Sequence, residues 1–178
     1  MVIDSDTAHF LTRLLMAAGF LTAMFFCAQS RNRGLVLFYI VAVIETYTKF
    51  RYPLHDWARD VLLASVPVDI SKQEIQSVLV LTLAITTVVA IIWLIRKFRR
   101  YAWPQLMMVM GALGTLFMCA IEMISPHRID AFIYKIDGFF LRSGLIYTAM
   151  SLTTVAGAFY ARKRASAHLS QYRPKRQR

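Results

Sequence analysis

The sequence predicts an all-α fold: a polytopic transmembrane helical bundle of five spans, N-terminus outside and C-terminus cytoplasmic. Three observations carry that prediction. The 178-residue chain is 57% hydrophobic and only 17% charged, against about 25% charged in soluble domains. Its apolar residues fall into blocks near the ~20 residues a helix needs to cross a ~30 Å hydrocarbon core. Its formal charge of +11 is gathered into the gaps between alternate blocks. So basic a polar chain would suggest nucleic-acid binding; positive mean hydropathy excludes that class, and no nucleic-acid partner is expected.

The spans are read at about 10–28, 35–50, 75–95, 106–124 and 139–160, one domain followed by a basic tail at 161–178. Span one is broken only by Arg13. It is not read as a cleavable leader, because Asp4 and Asp6 stand where a positive region should be. Span two is short and contains Glu45 and Lys49; if it only dips into the membrane, four spans remain. Span three opens on Ser71-Lys72-Gln73-Glu74, a capping box in which Ser71 and Glu74 satisfy first-turn amides reciprocally. Pro104 suits the first turn of span four, where no backbone donor is lost, and Glu122 lies near that span's end. Ser125-Pro126 repeats the cap-plus-proline pattern. Asp137 is placed to cap span five, which carries Arg142 near its start.

Two connecting segments show helical spacing of apolar residues: Leu54, Trp57, Ala58, Val61 and Leu62, and then Ile129, Phe132, Ile133 and Ile136. Both are expected as short interfacial helices, or as loop caps over the bundle.

Charge sets the orientation. Arg31 and Arg33 follow span one; Arg96, Lys97, Arg99 and Arg100 follow span three. Arg162, Lys163, Arg164, Arg173, Lys175, Arg176 and Arg178 follow span five. No Asp or Glu accompanies them. The other side receives every acid except Glu45 and Glu122, which sit toward that side of their helices. The positive-inside rule then places the basic side in the cytoplasm of a bacterial-type inner membrane. The interfacial aromatics agree, with Trp93, Tyr101 and Trp103 inside and Tyr52, Trp57 and Phe139 outside.

Ionisable side chains within spans cost a few kcal/mol each, so they turn toward the protein interior. Arg13, Glu45, Lys49, Glu122 and Arg142 form a candidate buried polar site in the outer halves of the helices. It either fixes packing, with Glu45 neutralised by Lys49 or Arg13, or receives a headgroup, ion or proton. His127, Asp130 and Asp137 form a candidate outer-surface site. In the tail, Arg173, Lys175, Arg176 and Arg178 exceed what topology anchoring needs; they suit anionic inner-leaflet lipids or an acidic partner. Cys27 and Cys119 form no dithiol motif and read as small packing residues. Gly19, Ala23 and Cys27 recur every four residues, as do Ala149, Thr153 and Gly157, the spacing that lets membrane helices approach closely. It serves internal packing or self-association.

The run Ser125-Pro-His-Arg-Ile-Asp-Ala-Phe-Ile-Tyr-Lys-Ile-Asp-Gly138 resembles an element of some PAP2-type lipid phosphatases, in which two spaced aspartates, here Asp130 and Asp137, precede a glycine and a membrane helix. The defining motifs of that family, Lys-x6-Arg-Pro, Pro-Ser-Gly-His and Ser-Arg-x5-His, do not occur. Lys97 is followed by Trp103-Pro104, and Ser125-Pro126-His127 has the wrong order. The resemblance therefore implies kinship with a non-catalytic region and no phosphatase activity.

No phosphate loop, nucleophile elbow, metalloprotease helix or paired-cysteine metal site is present in the sequence. No catalytic residue, metal or cofactor is assigned. The expected function is a non-catalytic subunit or accessory factor of an inner-membrane assembly, with other membrane subunits or a second copy as partner. The alternatives are a small transport or lipid-handling protein with an outward-facing charged site, and a membrane lipid-modifying enzyme.

Overall fold

The computed structural model describes residues 4–50, 53, 56–57, 61, 72–98, 103–124 and 131–171. Within them, α1 spans Ser5–Gln29, α2 Arg33–Thr48, α3 Lys72–Phe98, α4 Trp103–Ile124 and α5 Arg142–Gln171. A hairpin of β1 (Ile136–Asp137) and β2 (Phe140–Leu141) precedes α5. The α1 and α4 helices, and α5 over Arg142–Ala167, are long and apolar enough to cross a membrane. The 16-residue α2 measures about 24 Å at 1.5 Å per residue. In the 27-residue α3 the apolar run covers Ser77–Trp93.

Local chemistry ends the first two helices. Arg31 takes a left-handed conformation, φ 58°, and turns the chain after α1. The Asn32 side chain then accepts from the Leu35 amide at 3.4 Å and caps α2. At the far end of α2, Lys49 is itself left-handed (φ 52°), and its amide bonds the Glu45 carbonyl at 2.8 Å. Lys49 thus terminates α2 rather than lying within it.

Each main helix buries one stripe at steps of three and four residues, the period of a single helical face. On α1 the stripe includes Ala8, Thr12, Met16, Gly19, Phe20, Ala23 and Cys27; on α4 it includes Met108, Gly111, Thr115, Met118 and Glu122. On α5 the buried residues are Ser143, Gly144, Tyr147, Ser151, Thr154, Gly157 and Ala158. The expected Gly19-Ala23-Cys27 face is therefore present, but Ala149-Thr153-Gly157 is not a buried face, because Ala149 is exposed.

The helices neighbour one another in the order α2, α1, α5, α4, α3. Gly144 of α5 sits against Thr12 of α1, and Gly19 against Ser151; farther along, Arg162 donates to Gln29. So α1 and α5 run parallel. Gly157 meets Pro104 and Met108, and Gly111 meets Met150 and Thr154, so α4 runs the opposite way. Asp4 and the hairpin lie at one end, the hairpin end. Arg31, Arg33, Trp103 and Arg162 lie at the other, the basic end.

Polar and aromatic groups meet at the centre. The Tyr39 ring lies 5.9 Å from Phe20, which lies 5.9 Å edge-on from Tyr147. The Tyr39 hydroxyl and Thr154 Oγ1 are 2.6 Å apart, and Thr154 Oγ1 reaches the Met108 carbonyl at 3.2 Å. One proton order satisfies both bonds: Tyr39 donates to Thr154, and Thr154 donates to Met108. This relay ties α2, α5 and α4 together, with Phe20 of α1 packed on it.

Glycine makes the α4–α5 approach possible. A Cβ on Gly157 would fall 2.6 Å from the Pro104 carbonyl oxygen and 2.7 Å from the Met108 nitrogen, backbone atoms that cannot swing aside. Gly157→Ala should force the helices apart and cost about 1–3 kcal/mol. Thermal unfolding in detergent should show a clearly lowered midpoint, while Ala149→Leu on the exposed face leaves it unchanged. An unshifted midpoint for Gly157→Ala would refute the close approach.

Candidate functional site

The hairpin end holds the described members of the expected sites, Arg13, Glu45, Lys49, Glu122, Asp137 and Arg142. The hairpin itself is built from the local sequence. Ile136 pairs with Leu141 and Asp137 with Phe140, leaving Gly138-Phe139 as a two-residue loop. Gly138 has φ +68°, the conformation that tight hairpin turns require at their first central position and that glycine adopts at no steric cost. The expected helical run through Ile136 is thus corrected. Within the described residues the helical stretch reaches only Ile133, and Ile136 lies in β1. The helix in this region, α5, begins at Arg142, three residues after the expected start at Phe139.

The hairpin is fastened to two helices. Thr12 Oγ1 accepts from the Leu141 amide at 2.8 Å while donating to the Ala8 carbonyl at 2.7 Å, so both functions of one buried hydroxyl are used. Ile133 and Leu141 are buried beside it. Arg142, the first residue of α5, grips Asp137 through two bonds, Nε to Oδ2 at 2.6 Å and Nη2 to Oδ1 at 3.1 Å. Its guanidinium carbon lies 4.3 Å from the centre of the Phe132 ring, a cation–π contact, and its amide bonds the Lys135 carbonyl at 2.9 Å. A cation at a helix N-terminus opposes the helix dipole; Asp137 supplies the compensating negative charge.

Asp137 therefore acts as partner to Arg142 rather than as the cap of α5. One member of the expected outer-surface site is joined to one member of the expected buried site. The Arg142 hydrogen bond holds the Asp137 carboxyl below its ordinary value. A depressed carboxylate stabilises the fold above the unfolded value of about 3.9, and that contribution is lost as pH falls through the lower folded value.

The other expected residues of the buried site lie as follows. Glu45 is 7% exposed and Glu122 8% exposed, so both carboxylates sit on inward-facing stripes despite their charge. Glu45 follows Tyr39 by six residues, about 9 Å along α2 toward the hairpin end. Arg13 is half-buried on α1, and Lys49 is half-buried at the end of α2. His127 and Asp130 fall outside the described residues, as do Ser71, Ser125, Pro126 and the tail residues Arg173, Lys175, Arg176 and Arg178. In the first amphipathic segment the described positions Pro53, Asp56, Trp57 and Val61 are helical. Among the described residues no three His, Cys, Asp or Glu are grouped to hold a metal. Cys27 and Cys119 are free thiols, and the Tyr147 hydroxyl donates to Cys119 Sγ at 3.4 Å.

Sequence reasoning missed the roles of Tyr39, Thr154 and Thr12, whose partners are far away in the chain. It also passed over a local signal: Gly138 can supply the positive φ that the first central position of a two-residue hairpin turn requires. No protein-family model, curated protein or solved structure matches the chain. What the fold and site define is a helical bundle with membrane-length helices and a clamped hairpin at one end.

Asp137→Asn should reduce the hydrogen-exchange protection of the Leu141 and Arg142 amides at neutral pH without unfolding the bundle. The unmodified protein should lose the same protection only below about pH 4. Equal protection in both proteins across this range would show that the ion pair does not hold the hairpin.

Proposed function

We propose that the chain is a small multi-pass protein of a bacterial-type inner membrane and a non-catalytic subunit or accessory factor of a membrane assembly. In this reading all five helices cross, the hairpin end faces outward and the basic end lies in the cytoplasm. Alternating helix directions support it, as does the excess of basic residues, with no acid among them, in the segments that follow α1, α3 and the apolar part of α5.

The observation that carries the subunit reading is the position of α3. It packs chiefly against α4, through a face containing Val80, Leu83, Ala84, Thr87, Ala90 and Ile91. Among its described residues none is buried. The opposite face exposes Val78, Ile85, Val89 and Trp93 together with Thr82 and Thr86. Lipid tails offer no polar partner, whereas a neighbouring membrane helix can accept close, hydroxyl-bearing contacts. The α3 face is accordingly the surface for another membrane subunit or a second copy.

One observation favours a second reading, a small transport or lipid-handling protein. Two carboxylates, Glu45 and Glu122, are buried toward the hairpin end, where an outward-facing charged site would receive a headgroup, ion or proton. Under this reading Glu45→Gln abolishes function while assembly is intact.

Isolation of the tagged protein from native membranes in mild detergent should yield a stoichiometric complex, and Thr82→Leu with Thr86→Leu should dissociate it without lowering the thermal stability of the single chain. A lone monodisperse species from native membranes would overturn the subunit reading.

A further inference from the structure

At the basic end, where α5 runs on past the first residue of α4, a groove of about 640 Å³ is lined by Trp103, Pro104, Met107, Tyr160, Lys163 and Arg164. We infer that this groove is a binding site for the phosphate headgroup of an anionic phospholipid in the leaflet at that end. The inference rests on the membrane orientation proposed above and is independent of any partner subunit.

The lining is ordered by depth as a phospholipid is. Lys163 and Arg164 lie about one turn beyond Tyr160 on α5, and both are exposed. No carboxylate belongs to an element end at this side of the bundle among the described residues: Asp4, Asp6, Glu45, Glu74, Glu122 and Asp137 belong to the opposite ends of their elements, and Asp56 lies in the connection between the far ends of α2 and α3. The two cations are therefore not neutralised by an acid at this end and can be shared with a ligand phosphate. Trp103 and Tyr160 are 68% and 52% exposed and offer amphipathic rings at the level where headgroups meet hydrocarbon. Toward the membrane interior the wall becomes apolar through Pro104 and Met107, as an acyl chain requires. The volume falls within the roughly 300–1,000 Å³ of small-molecule sites, and basic pockets between membrane helices on the cytoplasmic side take acidic headgroups.

The same chemistry recurs at this end beside α2. A second groove of about 610 Å³ combines Arg31 and Arg33 with Val36, Leu37 and Ile40. It has no aromatic pair, which makes it the natural comparison for selectivity.

The test uses the full chain in nanodiscs of phosphatidylcholine with or without phosphatidylglycerol, followed by native mass spectrometry of retained lipid. Phosphatidylglycerol should be retained in preference to phosphatidylcholine. Lys163→Gln with Arg164→Gln should weaken that retention by on the order of tenfold, more than Arg31→Gln with Arg33→Gln does. Met107→Trp, which fills the apolar floor without changing charge, should also reduce it, and soluble glycerophosphate should not compete at equal concentration. Equal retention of the two lipids, or no greater effect at Lys163 and Arg164 than at Arg31 and Arg33, would overturn the site. Either result would leave the membrane orientation standing; failure of the chain to incorporate into nanodiscs would instead refute the membrane-spanning reading on which that orientation rests.

Discussion

A buried threonine hydroxyl joins three helices of this bundle. Thr154 on α5 accepts from Tyr39 on α2 at 2.6 Å and donates to the Met108 carbonyl on α4 at 3.2 Å, while Phe20 of α1 packs on the Tyr39 ring. In hydrocarbon, helices gain nothing from leaving water, so association depends on close packing and interhelical hydrogen bonds, each worth roughly 0.6–2 kcal/mol. The relay needs its three helices at short separation. Gly111 provides it, since a Cβ there would fall 2.5 Å from the Met150 carbonyl oxygen and 2.8 Å from the Thr154 nitrogen.

Much of the helical architecture was legible because its causes are local. Apolar runs, Pro104 at a first turn and the basic gaps each act over one or two turns of chain. The three helices long and apolar enough to cross a membrane lie where spans one, four and five are read, with α1 starting a turn earlier than its apolar run, at Ser5. The hairpin was hidden because two local signals conflict over the same residues. Helical spacing through Ile129, Phe132, Ile133 and Ile136 argues for one structure, Gly138 for another. Burial of Ile133 and Leu141, and the Leu141 amide bond to Thr12, side with the turn. Those contacts come from α1, more than a hundred residues away, and no local pattern encodes them.

The site residues were legible as residue types but not as partners. Arg142 and Asp137 were read into different clusters, one buried and one superficial, yet they share a bidentate ion pair. A charged residue near a helix start is visible in sequence; that it turns back to a hairpin carboxylate is a consequence of the turn. The distribution of charge along the molecule has a simpler logic. Among the described residues the carboxylates of the helices and the clamped hairpin lie toward one end, and the open, basic grooves lie at the other. The first end is fastened by its own side chains, while the second leaves cations available to ligands.

That polarity is the central claim, and it is tested most directly by cysteine accessibility in intact cells. In a background with Cys27 and Cys119 replaced by alanine, Ser5→Cys and Ser166→Cys place single thiols at exposed positions at opposite ends of α1 and α5. A membrane-impermeant maleimide should label Ser5→Cys in intact cells and Ser166→Cys only after permeabilisation. Labelling of both from outside, or the reverse pattern, would contradict the five-span orientation.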